Sequence, residues 1–310
     1  MSKLPRTVFR SLDGILLLDK PAGISSNQAL QRVRHLFRAE KGGHTGSLDP
    51  LATGMLPVCF GEATKIAGHL LGNAKAYDTV ARLGVVTDTD DADGKSLRER
   101  AVPALQFAQV ERFLIPFHGK ISQRPPIYSA LKQGGEPLYA KARRGEVIEV
   151  PLREVRVDRI QLLDLAGDSL RMRITCGSGT YIRSIVRDLG EALGCGAHVT
   201  ELRRLWVDPF MGQAMHSLDD LVDLLAGQGE DALEEAILPL EAGLAGWSRV
   251  SLDPAQATAL GHGQPVPVPV ETPIGQVLAV DQSARALAIA QVGEDGLLRV
   301  QRLFRWAVRD

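Results

Sequence analysis

Apolar and polar positions repeat along the chain with two different periods, and the switches between them mark out the elements. Gly14 to Asp19 is a short continuous apolar run, the pattern of a buried strand. Lys20 to Asn27 follows as a turn ending in residues suited to cap a helix. Ala29, Leu30, Val33, Leu36 and Phe37 then recur at helical steps, while Arg32, Arg34 and Arg38 fall on the other face. Met55 to Phe60 reads as a strand, and Glu62 to Leu71 as a helix with Ile66, Leu70 and Leu71 inward. Tyr77 to Leu83 alternates as a strand does. Pro103 to Leu114 predicts a helix with proline near its start. Val147 to Cys176 supplies strands, with Val155 and Val157, then Leu170, Met172 and Ile174, on single faces. Gly177 to Thr180 turns into a helix over Tyr181 to Leu193, and Ser217 opens another.

From about Trp247 the texture changes. A Pro265–Pro269 stretch precedes alternating runs at Val277–Val280, Ala286–Val292 and Leu297–Leu303, the signature of a small β barrel. The 310 residues therefore divide into a large unit, 1–246, and a small one, 247–310. A composition of 45% hydrophobic and 24% charged residues is that of an ordinary globular protein. The apolar run Ile15 to Leu18 is too short for a signal peptide or a membrane span, so the cytoplasm is the expected location.

Cys59, Cys176 and Cys195 are widely spaced and imply neither a disulfide framework nor a zinc site; Cys195-Gly-Ala-His198 lacks a second pair. Asp88 to Gly94 invites a calcium reading that fails on register, because Gly94 as sixth position puts Thr89 first and Arg100 twelfth. No metal is implied.

Net charge is −1, but its distribution is uneven. Lys120 to Arg159 holds nine Lys/Arg against five Asp/Glu, whereas Met215 to Ser248 holds eight acidic residues and no Lys/Arg. An RNA backbone favours the first region and is repelled by the second. Within the first, 124–145 interleaves proline, glycine and basic residues with tyrosines, as an exposed arm would. The stretch with most chemical promise is Gly42 to Gly54, a glycine-rich loop in which Pro50 biases Asp49 towards an extended backbone. Read alone, Asp-Pro merely starts a turn.

The string His44-Thr-Gly-Ser-Leu-Asp49-Pro-Leu-Ala-Thr-Gly54 closely resembles the nucleophile loop of the TruB family, the tRNA pseudouridine-55 synthases. Lys20–Ser26 is similar to that family's K-P-x-G-x-S-S motif, Thr87, Thr89, Asp91 and Gly94 to its T-x-T-x-D-x-x-G turn, Gly179–Arg183 to its G-T-Y-I-R motif, and His198–Arg204 to a further segment. The resemblance runs from Lys20 to about Arg204, with a weaker match in the tail. It implies an α/β pseudouridine synthase fold, a central mixed sheet flanked by helices, with a PUA-like tail and an RNA-gripping thumb over about 124–150.

It further implies Asp49 as the catalytic carboxylate; burial would raise the pKa of that group, so a cation should pair with it, and Arg183 is the candidate. Tyr77 would stack on the target base, Tyr181 and Leu202 would close the pocket, and His44 would occupy the vacated position in the T loop; apart from the resemblance, Tyr77 is also the candidate for collecting the C5 proton. The expected partner is tRNA, met at its T arm, elbow and acceptor side by a monomer without guide RNA or cofactor. Asp49 attacking C1′, adding to C6 and assisting a glycal route remain alternatives. Two other classes share these features: a hydrolase of N-glycosides and a non-catalytic RNA-binding or RNA-folding protein.

Overall fold

The computed structural model describes residues 8–72 and 74–308. Its centre is a nine-stranded mixed sheet. In spatial order the strands are Ile237–Leu238, Gly14–Lys20, Thr53–Phe60, Ala197–Val207, Lys75–Leu83, Ser169–Cys176, Arg153–Ala166 and Gly119–Gln123, with Gly42–His44 laid on Thr53–Phe60. The pairings are antiparallel apart from a brief parallel contact between Ala197–Val207 and Thr53–Phe60, which sets Arg203 against Thr53 and Arg204 against Gly54. That contact depends on glycine. Gly54 has φ +96°, and a Cβ there would lie 2.2 Å from the Arg204 carbonyl oxygen.

The apolar run at Gly14–Lys20 is explained by two cores on opposite faces of the sheet. Leu16 and Leu18 join Val33, Tyr77 and Ile185 in one; Ile15 and Leu17 join Ile66, Phe210 and Phe304 in the other. The helix Ser26–Leu36 packs Ala29, Leu30 and Val33 into the first core and starts at Ser25, which forms a reciprocal capping box with Gln28. The helix Ile182–Ala192 buries Ile185, Val186 and Leu189 beside it.

Three predicted boundaries shift. The third helix is Phe107–Leu114 rather than starting at Pro103, because Gln106 and Gln109 cap each other at its entrance. The strand expected from Val147 begins at Arg153. The stretch 62–71 is a 3-10 turn, Gly61–Lys65, followed by the single-turn helix Ala67–Leu71. Ile66 and Leu70 are buried as expected, but the break loses the helical phase one residue later and Leu71 is exposed.

The acidic stretch forms Leu218–Glu235, capped by Ser217 and broken at Gly229. It is less solvated than its composition suggests: Glu230 and Glu234 pair with Arg10, and Glu230 also with Arg38. The tail is an open, curled half-barrel of five strands in the order Arg249–Ser251, Gly275–Val280, Ala286–Val292, Leu297–Leu303, Val266–Pro267. Its Leu278, Ile289 and Phe304 share the second core with Ile66 and Phe210, so apolar contact joins the tail to the central sheet. Among the described residues no helix is long and apolar enough to cross a membrane.

Candidate active site

The loop expected over Gly42 to Gly54 is shorter, because Gly42–His44 and Thr53–Gly54 pair within the sheet; residues 45–52 leave it and return, and buried polar groups of the preceding turn hold them. The Ser26 hydroxyl accepts the Leu48 N–H at 2.7 Å and donates to the Leu48 carbonyl at 3.0 Å. Lys20 is fully buried; its Nζ donates to the Pro21 and Ile24 carbonyls, each at 2.7 Å, and lies 3.4 Å from that of Pro50. Burial lowers the Lys20 pKa to about 8, against the pull of Asp49. The Gly23 N–H donates to the Pro50 carbonyl at 2.8 Å. The K-P-x-G-x-S-S segment is therefore the brace of the Asp49 loop.

Asp49 meets Arg183, as expected. Its Oδ1 accepts from Arg183 Nη2 at 3.0 Å, and its Oδ2 lies 3.0 Å from Nε at an angle outside hydrogen bonding. Arg183 is almost wholly buried, whereas 36% of the Asp49 side chain faces the cleft. The same guanidinium donates to the Thr89 carbonyl at 2.7 Å and the Tyr128 carbonyl at 2.9 Å, and lies 3.3 Å from Asp91. Desolvation raises the Asp49 pKa, with Arg183 pulling it down and Asp91 adding to the rise.

Asp49, Tyr77, Tyr181, Arg183 and Leu202 all line one cleft of about 540 Å³, as does Arg204. Tyr77 is buried in strand Lys75–Leu83, opposite Arg204 on the neighbouring strand, where Leu202 stands opposite Thr79. Burial raises its pKa and Arg204, which meets the phenol, lowers it. Tyr181 caps the helix Ile182–Ala192; the Gln123 side chain clamps its backbone, accepting the N–H at 2.8 Å and donating to the carbonyl at 3.0 Å. His44 stands apart. It lies on the short strand opposite Val58, outside the cleft lining, its pKa lowered by burial and Arg204.

The 124–150 arm carries a two-strand hairpin, Lys132–Gln133 with Glu136–Pro137, and the short helix Leu138–Arg143. Arg124 Nη1 donates to the Val150 carbonyl at 3.0 Å, joining the two ends. Arg143 lies over the Tyr139 ring at 5.6 Å. Arg144 is engaged within the arm by Glu136 and Glu146.

Several residues escaped the sequence reading: Ser26 and Gln123, which hold backbone, and Leu71, Lys75 and Arg204 at the cleft. Ser26 and Arg204 each closed a quoted segment and Leu71 was expected in the core, but nothing in the sequence gave any of them these places. Among the described residues no cluster of three His, Cys, Asp or Glu is placed to hold a metal, and the three cysteines are buried and unpaired.

Three family models match successive parts of the chain. Residues 34–182 match "TruB family pseudouridylate synthase (N terminal domain)", 183–245 match "tRNA pseudouridylate synthase B C-terminal domain", and 248–304 match "Pseudouridine synthase II TruB, C-terminal". Tested over 300 residues, the chain is 60% identical to the tRNA pseudouridine synthase B of Xanthomonas axonopodis pv. citri (strain 306), covering 97% of this chain and 96% of that one. The protein of the same name from Pseudomonas putida (strain GB-1) is 48% identical over 300 residues, with 97% and 98% covered. An H/ACA ribonucleoprotein bound to a substrate RNA containing 2′-deoxyuridine includes a chain that superposes with a TM-score of 0.73 at 25% identity, covering 94% of this chain and 84% of that one. On these grounds the chain belongs to the TruB family of pseudouridine synthases, whose activity is the isomerisation of uridine to pseudouridine.

Proposed function

We propose that this enzyme isomerises uridine 55 in the T loop of tRNA, with Asp49 as the catalytic carboxylate. The observation that supports this most directly is the Asp49–Arg183 pair, which opens into the same cleft as Tyr77, Tyr181 and Leu202. The reaction breaks N1–C1′, turns the uracil and joins C5 to C1′; C5 loses a proton, N1 gains one, and composition does not change. A uracil stacked in a folded T loop must first be everted, at a cost of about a few kcal/mol. Tyr77 and Tyr181 offer aromatic surface to the everted base, Leu202 closes the slot, and His44, outside the cleft, is placed to meet the vacated stack.

Asp49 must be ionised to act, and Arg183 both favours that form and fixes the carboxylate's direction. The arm and tail are assigned to the T arm and the acceptor side of the tRNA. The experiment is a T-arm hairpin tritiated at uridine C5. Wild type is expected to release tritium with RNA mass unchanged, and Asp49→Ala to bind the hairpin without releasing it. Abasic RNA would point to a hydrolase, and tight binding with no release by wild type to a binding protein.

A further inference from the structure

Arg183 and Arg204 line the cleft, and Arg204 differs from Arg183 and from three further arginines of the catalytic sheet and its helix in one respect. Arg183 faces Asp49 and Asp91, Arg187 faces Asp90, Arg203 faces Asp19 and Arg173 faces Asp78. Arg204 has no carboxylate partner among the described residues. Its side chain is 1% exposed, Nε donates to the Met55 carbonyl at 2.7 Å, Nη2 donates to the Gly46 carbonyl at 3.0 Å, and the guanidinium also meets the Tyr77 phenol. Burying a cation without a counter-charge is costly, and folds ordinarily pair or neutralise such a group. Here the charge is kept. It borders the cleft in which the base is proposed to lie, alongside Lys75, whose pKa burial and Arg204 lower to about 8.

We infer that Arg204, with the Tyr77 phenol it holds, stabilises the negative charge that the uracil acquires when it leaves C1′. The inference rests on the proposed isomerisation and adds a residue to it. As N1–C1′ breaks, the bonding electron pair leaves with the base and spreads over N1, O2 and O4, while Asp49 either bonds to C1′, a bond that breaks again when C5 attacks, or takes the C2′ proton and returns it to C2′ at that point. The pair returns when C5 bonds to C1′, after which C5 gives its proton to solvent and N1 takes one up. No oxidant or reductant is required. The charge on the base exists only between these two steps, so a fixed cation beside the slot favours that interval over the bound ground state. Arg183 cannot supply this field so well, because two carboxylates already offset it.

The alternative is that Arg204 merely pins the Gly46 and Met55 carbonyls. The two roles separate in single-turnover reactions on T-arm hairpins carrying uridine or 5-fluorouridine at the target position. Fluorine withdraws electrons and stabilises the base anion by itself, so the fluorinated base needs the enzyme's cation less. Arg204→Gln is expected to slow conversion of uridine by about 100-fold and consumption of 5-fluorouridine by only about 10-fold. Equal slowing of both substrates, or no slowing, overturns the inference.

Arg204→Lys retains the charge but not the forked donors, and provides an answer even where Arg204→Gln does not fold. It is expected to stay within about 10-fold of wild type with the wild-type ratio of the two substrates. Its loss by about 100-fold or more would mean that the fork, not the charge, is what matters. Wild-type failure on the uridine hairpin sinks the proposed isomerisation itself, whereas wild-type success with equal slowing sinks the Arg204 inference alone.

Discussion

The Asp49 loop and the 124–150 arm both border the cleft, yet buried hydrogen bonds hold the first and mainly exposed ion pairs tie the second. Ser26, Lys20 and Gly23 all bond the main chain of the loop from beneath. The arm buries Leu138 and Val150, but its Arg144 pairs with Glu136 and Glu146 in open solvent. Buried bonds to main chain fix position to a fraction of an ångström, whereas exposed pairs exchange readily with water and salt. The difference suits two tasks: the loop must aim one carboxylate, and the arm must close on a backbone it meets only in the complex.

Breaking the loop's supports should produce the largest effects. Gly54→Ala forces a Cβ against the Arg204 carbonyl at a positive φ, and is expected to destabilise the fold by about 3–5 kcal/mol. Ser26→Ala leaves the buried Leu48 N–H without its partner, at about 1–3 kcal/mol. Because the aim of Asp49 is disturbed, kcat should fall by about 10- to 100-fold while hairpin affinity holds. Thermal melting and single-turnover kinetics read both. A Ser26→Ala enzyme of wild-type kcat would mean that the loop keeps its shape without the serine.

Substitutions in the arm should leave melting almost unchanged and act on the salt dependence of binding. Among the described residues Lys141 and Arg143 form no salt bridge, Lys141 acting on Glu136 only through its field, so each replacement by Ala is expected to lower the slope of log affinity against log salt by about 0.7–0.9. Arg144→Ala should lower it less, because two carboxylates already offset that charge. Equal slopes for all three variants would show that the internal pairs open on binding.

How much of this was legible in the sequence follows from the same contrast. Asp49 and Arg183 could be paired because each sits in a distinctive local string, as could Tyr77, Tyr181 and Leu202 for the cleft. Supports that cross between distant segments left no such trace. Ser26 reads as a capping residue, nothing in the sequence marks Gln123, and the glycine-rich loop does not say that Gly54 meets Arg204 across the parallel contact. Leu71 was misplaced for a local reason: helical periodicity cannot show that a 3-10 turn has reset the phase. That Arg204 has no carboxylate partner among the described residues is visible only once Asp49, Asp90, Asp19 and Asp78 have been assigned to other arginines.

The smallest expected effect is also the one in which loop and arm respond with opposite sign to pH. Desolvation raises the Asp49 pKa above 3.8 despite Arg183, so folding favours the protonated form. Below pH 3.8 wild type and Asp49→Asn should therefore melt alike, apart from the constant difference between acid and amide. As pH climbs through the raised pKa, wild type ionises in place and falls behind the variant, and above it the gap stays constant. Glu136 in the arm behaves oppositely. Its hydrogen bond to Arg144 lowers its pKa below 4.5, so its contribution is present above that value and is lost on acidification through the lowered one. Melting temperatures of wild type, Asp49→Asn and Glu136→Gln from pH 3 to 8 test both. Asp49→Asn should gain on wild type with rising pH, and Glu136→Gln should lose slightly. A gap between wild type and Asp49→Asn that does not change with pH would mean that the loop leaves its carboxylate as well solvated as in the unfolded chain.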